Sequence, residues 1–416
     1  MYSDSAKSII QTRIKLWFLK IWFGNSYVAF FDSRNFTPLL FFMKILFVLD
    51  LYKPHVWWVE ILFENIANIM VEKWHQVKIL TSRYQRDLPR HEKLENWIEI
   101  YREWWSRYSF MFACLKKWIK LAKRADIIHW TTYNSAIPAS IIWKFSKKKV
   151  ILTCHEIFGQ LRYRFMWWKW FFFKVFESLI FKFHYDKIIC VSNYTKNNLR
   201  IHFWIKDDRL ITIYNWVDYD WWNRKNFPES EIKAIREKYN LQKNYVWIFF
   251  GRPWISKWLI YFVKAMPEII KKIPNFKAIL NVSESVNNKA DDVRKFIKEN
   301  NLEDYIVRLW WVKYKELWNY ILSADVAVVP SLVEWFWFAA AETCAIGQQL
   351  ICSNAAALTE VVSGKINFAE PWNPHTIAEA MINFCNWKYQ DITRREFLWE
   401  DNINQTLHCY EKVLWK

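Results

Sequence analysis

Tryptophan occupies turn positions of this chain that call for glycine. The sequence holds 30 Trp and 5 Gly among 416 residues, whereas glycine usage averages about 7%. Tryptophans fill "PHVWWVE" (54–60), "GRPWISKW" (251–258) and "EWFWF" (334–338), each between a strand-like run and a helical pattern. Such turns need a positive φ or a close backbone approach, which glycine permits and an indole does not. We therefore hypothesise that these tryptophans are glycines encoded by UGA; the alternative is a genuinely Trp-rich protein.

The cysteines indicate a reducing compartment. All seven are scattered along the chain and none forms a CxxC pair. This distribution favours reduced thiols over a disulfide framework or a zinc site. We therefore expect a cytoplasmic protein.

The formal charge of +18 suits an anionic partner such as a nucleic acid, an acidic membrane surface or a phosphorylated ligand. No nucleic-acid-binding motif is present, so we expect no nucleic-acid partner. Residues 161–184, "LRYRFMWWKWFFFKVFESLIFKFH", are both aromatic and basic. They predict either an interfacial membrane segment or a core helix that flanks a binding cleft. The first alternative would place the protein peripherally on the cytoplasmic membrane face.

Short apolar runs alternate with helical patterns through most of the chain. The predicted strands are 44–49, 77–80, 126–129, 150–154, 187–192, 210–214, 245–250, 276–280, 306–309, 325–330 and 349–352. Residues 59–73 and 258–273 repeat apolar positions at helical spacing. This alternation predicts an α/β protein with parallel sheets and crossover helices, in two doubly wound domains. The polar stretch 224–233 is the expected linker.

The strand-like "MKILFVLDLY" begins at Met43. We therefore expect residues 1–42 to be a wrongly assigned or disordered N-terminal extension. A membrane-anchoring N-terminus is the alternative, although the segment contains no apolar run of membrane-spanning length.

From Met43 onward the chain resembles the family 4 (group 1) retaining glycosyltransferases of GT-B fold. The motifs that carry this resemblance are "YKPHVWWVE", "TCHE", "VSNYT", "YNWVD", "GRPWISKW", "LWWV", "VPSLVEWFWFAAAE" and "SNAAALTEVV". Replacing Trp by Gly turns three of them into PHVGGVE, GRPGISKG and EGFGFAAAE. The resemblance implies two Rossmann-like parallel-sheet domains with a cleft between them. The acceptor domain would span 43–225 and the nucleotide-sugar donor domain 226–395, and a C-terminal helix at 396–416 would cross back to the first domain.

The resemblance assigns two carboxylates to the donor. Glu334 would contact the hydroxyls of the donor sugar and Glu342 would bind the ribose. The backbone N–H groups of Trp335, Phe336, Trp337 and Phe338 would face the donor, which requires glycine at 335 and 337. Two surface carboxylates near a helix start are the structural alternative.

Two cations would hold the diphosphate. Arg252 and Lys257 follow a predicted strand, and by resemblance they clamp the departing nucleoside diphosphate in place of a metal. Arginine offers paired donors and lysine a point charge for this purpose. We therefore expect no metal and no cofactor.

Trp57 and Trp58 precede the helix predicted at 59–73. As glycines they would bring its N-terminus close to the diphosphate. His155 in "TCHE" matches the family's active-site histidine near the donor sugar. Asn215 and Asp218 match an inter-domain segment, for which we expect a structural role. Asp218 and Asp220 also form a DxD triplet, which we do not interpret as a metal site.

These observations predict a retaining, metal-independent hexosyltransferase of polysaccharide biosynthesis. It would use a nucleotide diphosphate sugar as donor and a glycan or lipid-linked acceptor. One alternative is a GT-B nucleotide-sugar 2-epimerase. A second is a non-catalytic, membrane-associated GT-B protein, which would apply if every tryptophan is genuine.

Overall fold

The chain is an α/β protein with two parallel-dominated sheets. The structure is a computed structural model that describes residues 30–31, 38–39, 42–55, 58–103, 115–157, 170–251, 259–282, 289–309, 312–331, 335–336 and 338–415. The chain divides into two compact units. The first comprises Met1–Thr153, Lys182–Ile188 and Leu407–Lys416, and the second comprises Cys154–Phe181 and Ile189–Thr406.

The N-terminal half alternates strands with helices. Its strands are β1 (Lys44–Val48), β2 (Gln76–Ser82), β3 (His91–Lys93), β4 (Glu99–Glu103), β5 (Ile127–Thr131), β6 (Lys149–Cys154), β7 (Lys187–Cys190) and β8 (Leu210–Thr212). Its helices are α1 (Trp58–Glu72), α2 (Leu115–Lys123), α3 (Ala136–Ser146), α4 (Trp170–Phe181) and α5 (Asn193–Phe203). The eight strands form one sheet in the order β8-β7-β6-β5-β1-β2-β4-β3. A separate antiparallel pair joins Phe30–Phe31 to Pro38–Leu39.

The C-terminal half repeats the pattern. Its strands are β9 (Tyr245–Gly251), β10 (Phe276–Val282), β11 (Ile306–Leu309), β12 (Val326–Val329), β13 (Leu350–Ser353), β14 (Gly364–Ala369) and β15 (Gln390–Ile392). Its helices are α6 (Glu229–Lys238), α7 (Leu259–Lys272), α8 (Lys289–Glu299), α9 (Tyr314–Ser323), α10 (Phe338–Ala345), α11 (Leu358–Val361), α12 (Pro374–Cys385) and α13 (Trp399–Leu414). The seven strands lie in the order β11-β10-β9-β12-β13-β14-β15.

Burial on both faces explains the unbroken apolar runs of the central strands. On β9, Val246, Ile248 and Phe250 pack into one core cluster, while Trp247 and Phe249 pack into another. Successive side chains of a strand point to opposite faces of its sheet, so these clusters lie on opposite sides. Helices cover both faces of a sheet with this pattern.

The predicted fold class is confirmed, and each of the eleven predicted strands is present. The sequence did not predict the antiparallel edge pairs β3–β4 and β14–β15. The expected linker 224–233 stays a prediction, and α6 begins within it at Glu229. Pro228 precedes this helix, and Glu229 and Glu231 in its first turn favour its start. The domain boundaries expected from the sequence stay predictions.

Candidate functional site

The second sheet changes direction between β9 and β12. From β9 the chain moves outward through β10 to β11, and it then returns to the other side of β9 as β12. The two central strands are parallel, with Phe249 paired to Val328. Their carboxyl ends therefore lie side by side. Open α/β sheets bind ligands at such a switch point.

The two loops with the predicted donor residues leave these two strands. The segment after Gly251 carries Arg252 and Lys257, and the segment after Val329 leads through Glu334 to α10. Arg252, Lys257, Glu334 and Trp337 themselves lie outside the described residues, and so does Trp57. What the structure places together is the two strand ends from which the loops depart.

Three of the predicted backbone donors lie among the described residues. Trp335 stacks obliquely on Tyr194, with 5.2 Å between ring centroids. Phe336 is buried and packs edge-on against Phe338 and Phe397. Phe338 is the first residue of α10. Aromatic packing therefore holds Phe336 and Phe338.

Glu342 lies on α10, as the sequence predicts, and is 8% exposed. It occupies the second turn of that helix. The ribose contact expected of Glu342 stays a prediction.

His155 directly follows β6 and is buried. Burial lowers the pKa of its imidazole to about 3. The ring is therefore neutral at physiological pH, with one nitrogen as donor and the other as acceptor. A neutral imidazole suits hydrogen bonding to a sugar hydroxyl rather than charge pairing with a phosphate.

The first sheet has its own switch point, between β1 and β5. The side chain of Asn134, in the turn after β5, donates to the carboxylate of Asp50 after β1, at 3.1 Å. Thr132, which directly follows β5, has φ 68° and ψ 150°, a conformation almost restricted to glycine. Glu60 on α1 is buried 3.5 Å from His55, and burial raises the pKa of its carboxyl. Sequence analysis did not single out this polar cluster, because its residues come from three separate segments.

Trp58 is the first residue of α1, so the helix begins one residue earlier than predicted. Asn215 is buried, and the Asp218 carboxylate accepts the backbone N–H of Trp221 at 3.0 Å. That bond gives Asp218 a turn-forming role. Among the residues that the structure describes, no helix has the length and apolar character to cross a membrane.

A second interaction that sequence analysis missed involves Glu360, which follows β13. Its carboxylate accepts the backbone N–H groups of Asn193 and Tyr194 at 2.8 and 2.7 Å, and the hydroxyl of Tyr214 at 2.9 Å. This carboxylate caps the N-terminus of α5, whose Tyr194 ring lies against Trp335. No local sequence pattern indicates that Glu360 contacts Asn193 and Tyr194, which lie far away in the sequence.

Comparison with known proteins gives matches over both halves. The model of Glycosyltransferase Family 4 matches residues 59–221, and that of Glycosyl transferases group 1 matches residues 244–386. An uncharacterized glycosyltransferase of Methanocaldococcus jannaschii is 23% identical over 401 residues, which is 89% of this chain and 98% of that protein. The phosphatidylinositol N-acetylglucosaminyltransferase GPI3 subunit of Saccharomyces cerevisiae is 20% identical over 392 residues, covering 89% and 83% of the two chains.

Solved structures show the same fold. Anabaena HepE in complex with UDP-glucose superposes with a TM-score of 0.66 at 18% identity, covering 88% of this chain and 100% of that chain. Sucrose-phosphate synthase from Thermosynechococcus elongatus gives 0.65 at 17% identity, covering 89% and 99%.

Proposed function

We propose a donor, a reaction and a location for this chain, starting from the fact that it is a GT-B glycosyltransferase of the group 1 type. It transfers a hexose-type sugar from a nucleotide diphosphate sugar to a glycan or lipid-linked acceptor, with retention of anomeric configuration and without a metal. The HepE complexes with UDP and UDP-glucose support the donor class. The similarity to a phosphatidylinositol N-acetylglucosaminyltransferase subunit supports a lipid-linked acceptor.

The observation that carries the proposal is the adjacency of β9 and β12. The segment that carries the basic pair and the segment that carries the carboxylate pair depart from adjacent strand ends, which supports a shared donor site at this switch point. Charge on a departing diphosphate grows in the transition state. Arg252 and Lys257 supply preorganised positive charge for it.

The remaining roles follow from polarity. Glu334 accepts hydrogen bonds from the donor sugar and Glu342 from the ribose. His155, neutral because it is buried, forms a hydrogen bond with a sugar hydroxyl. The acceptor lies at the β1–β5 switch point, where Asp50 and Asn134 provide a polar edge.

We also propose that the tryptophans of the donor loops are glycines encoded by UGA. Phosphate-binding turns bring backbone N–H groups to the ligand, and glycine permits that approach. The codons for Trp57, Trp58, Trp254, Trp258, Trp335 and Trp337 test this directly. UGA at these positions supports the proposal and UGG throughout refutes it.

Helix α4 supports a peripheral membrane location. Phe171 and Phe172 are 59% and 64% exposed, and Val175 and Leu179 are also exposed. Exposed apolar side chains on a basic protein suit an anionic bilayer. We expect sedimentation with phosphatidylglycerol vesicles and less with phosphatidylcholine vesicles. The double variant Phe171→Ser, Phe172→Ser should remain in the supernatant. If it binds the vesicles as strongly as the parent, the membrane location is contradicted.

Donor assays test the central proposal. The protein carrying glycine at the six donor-loop positions is incubated with nucleotide diphosphate sugars, and product configuration is read by NMR. Arg252→Ala or Lys257→Ala should lower kcat/KM by roughly 10²-fold or more, the scale of losing one preorganised donor. The exposed Lys295→Ala on α8 is the control.

Two outcomes contradict the proposal. EDTA should leave the rate unchanged, so loss of activity that Mg²⁺ or Mn²⁺ restores excludes the metal-free reaction. Formation of an epimeric nucleotide sugar without acceptor would identify an epimerase instead.

A further inference from the structure

Tryptophan also occupies left-handed backbone positions far from the donor loops. Ten non-glycine residues among those described have a positive φ, and five of them are tryptophan. These five are Trp74 (68°), Trp97 (70°), Trp204 (59°), Trp372 (71°) and Trp387 (57°). A bulky residue there is a genuine outlier, because its Cβ crowds the carbonyl oxygen that follows it.

One helix-ending turn recurs in the chain and provides an internal reference. After α10, Gly347 has φ 76°. Its N–H donates to the carbonyl three residues earlier at 3.0 Å, and the next N–H donates to the carbonyl five residues before it at 3.1 Å. Asn240 after α6 and Asn301 after α8 form the same pair of bonds. Glycine and asparagine are the residues that favour this left-handed position.

Trp74 after α1 and Trp387 after α12 form the same turn. Their N–H groups donate to the carbonyls three residues earlier at 2.9 and 3.0 Å, and the following N–H groups reach back five residues at 2.8 Å in both cases. Each tryptophan is 76% exposed. Packing therefore contributes little to offset the cost of a left-handed backbone.

Trp204 ends α5 in a related way. It is the left-handed C-cap, its N–H donates to Leu199, and it is 83% exposed. Ile205 also donates its N–H to the Leu199 carbonyl, at 3.4 Å. Glycine is again the residue most often found at this position.

Trp97 lies in the hairpin between β3 and β4. Its N–H donates to the Leu94 carbonyl at 3.0 Å, and the Leu94 N–H donates to Ile98 at 2.9 Å. Three-residue hairpin loops place a left-handed residue, usually glycine, at this position. The Lys93 ammonium lies 4.0 Å from the Trp97 ring centroid, a partial compensation.

Trp372 occupies the third position of a turn that starts at Glu370. Pro371 precedes it, and Asn373 donates its N–H to the Glu370 carbonyl at 3.4 Å. Proline followed by a residue of positive φ is the pattern of a type II turn, whose third residue is typically glycine. The Tyr261 ring lies 6.2 Å from the Trp372 ring.

We infer that Trp74, Trp97, Trp204, Trp372 and Trp387 are glycines in the native protein. Three kinds of turn, each with its own reason to need glycine, contain tryptophan instead. This inference extends the UGA proposal to five sites that have no part in donor binding. It does not depend on glycosyl transfer, because its readouts are codons and stability.

The stability test substitutes each tryptophan singly by glycine and measures urea unfolding. The ratio of folded to unfolded protein should rise by roughly 2- to 10-fold per site, because removal of left-handed strain exceeds the added freedom of the unfolded chain. Trp221→Gly is the matched control. Trp221 lies outside the left-handed region and is 42% exposed, so its replacement should lower the ratio.

A substitution of glycine by tryptophan and the codons of the five tryptophans complete the test. Gly347→Trp should lower stability as much as Trp74→Gly or Trp387→Gly raises it, since the three turns share their hydrogen bonds. If the chain with tryptophan does not fold, each site is reverted to tryptophan in a chain carrying glycine at all five. Destabilisation by Trp→Gly at these sites, or UGG codons there, would overturn the inference. UGA at all five supports it.

Discussion

Two of the buried histidines, His155 and His75, make the stability of this protein sensitive to acid. Burial lowers the pKa of His155 to about 3, and burial with the nearby charge of Lys73 lowers that of His75 to about 4. His75 also accepts the backbone N–H of Met43 through Nδ1, at 3.3 Å. Both imidazoles are neutral in the folded state, while unfolded histidine binds a proton below pH about 6.5.

Stability should therefore fall as the pH drops below about 6.5. The unfolded state binds more protons there, so each histidine contributes a slope of up to about 1.4 kcal/mol per pH unit, which ends near its folded pKa. His75→Asn keeps an acceptor for the Met43 N–H and removes one titrating group. Urea unfolding at pH 7 and pH 5 should show a smaller loss for this variant than for the parent. The exposed His202→Asn should behave like the parent, and equal losses in all three would contradict the assignment.

Replacing each of the two donor carboxylates should impair a different step, either nucleotide binding or sugar-dependent turnover. Glu342→Ala should weaken binding of free UDP, because its proposed contact is the ribose. Glu334→Ala should leave UDP affinity nearly unchanged and lower sugar-dependent turnover by roughly 10²-fold. Calorimetry with UDP and turnover with UDP-glucose measure the two effects. Equal losses of UDP affinity would contradict this division of roles.

At the level of elements, helix α5 depends on a carboxylate from a distant segment. Ser192 accepts the N–H of Thr195 in the usual N-cap arrangement, and Glu360 satisfies the N–H groups of Asn193 and Tyr194. A negative charge at this end also interacts favourably with the helix dipole. The same helix carries Tyr194, which contacts Trp335.

Removing that carboxylate should loosen the start of α5. Glu360→Ala should lower the free energy of unfolding by about 1–2 kcal/mol, because two helix N–H groups lose their acceptor. Glu360→Gln retains an acceptor oxygen and should lose less. Hydrogen exchange at Asn193 and Tyr194 locates the effect, and the exposed Glu379→Ala on α12 is the control. Unchanged exchange at both amides in Glu360→Ala would show that the cap is not significant.

The sequence predicted the elements that are buried on both faces. Val326–Val329 on β12 is apolar throughout because both faces are covered, and such runs are recognisable without tertiary information. The edge strand His91–Lys93 is charged and solvated, so no apolar pattern marks it. Glu360 shows why the site was only partly predictable: its partners are brought to it by topology, and its own neighbours in sequence do not signal them.

At the scale of the whole molecule, tryptophans in the core and tryptophans in the donor loops meet different demands. Trp247 on β9 and Trp318 on α9 are fully buried in apolar clusters, so the core accommodates these two indoles. At a ligand-binding turn the demand is for empty space and a free backbone. Trp335 shows the conflict, since its ring occupies space beside Tyr194 in the loop that should face the donor.

Donor binding should therefore depend on glycine at six positions together. We expect the chain with Trp57, Trp58, Trp254, Trp258, Trp335 and Trp337 changed to Gly to bind a nucleotide sugar, and the chain as written to bind none. Overpacking costs typically about 1–3 kcal/mol per site, so the written chain should also be less stable or insoluble. Thermal shift with a panel of nucleotide sugars measures both.

A chain with alanine at the same six positions separates the two physical reasons why tryptophan should prevent donor binding. Alanine removes the bulk of the indole and retains the Cβ that disfavours a positive φ. If only volume matters, the alanine chain should bind as well as the glycine chain. We expect weaker binding by the alanine chain, because backbone N–H groups at these turns must approach the diphosphate in a conformation that glycine adopts without strain. Equal binding by the tryptophan, alanine and glycine chains would show that these turns tolerate an indole and that the tryptophans are genuine.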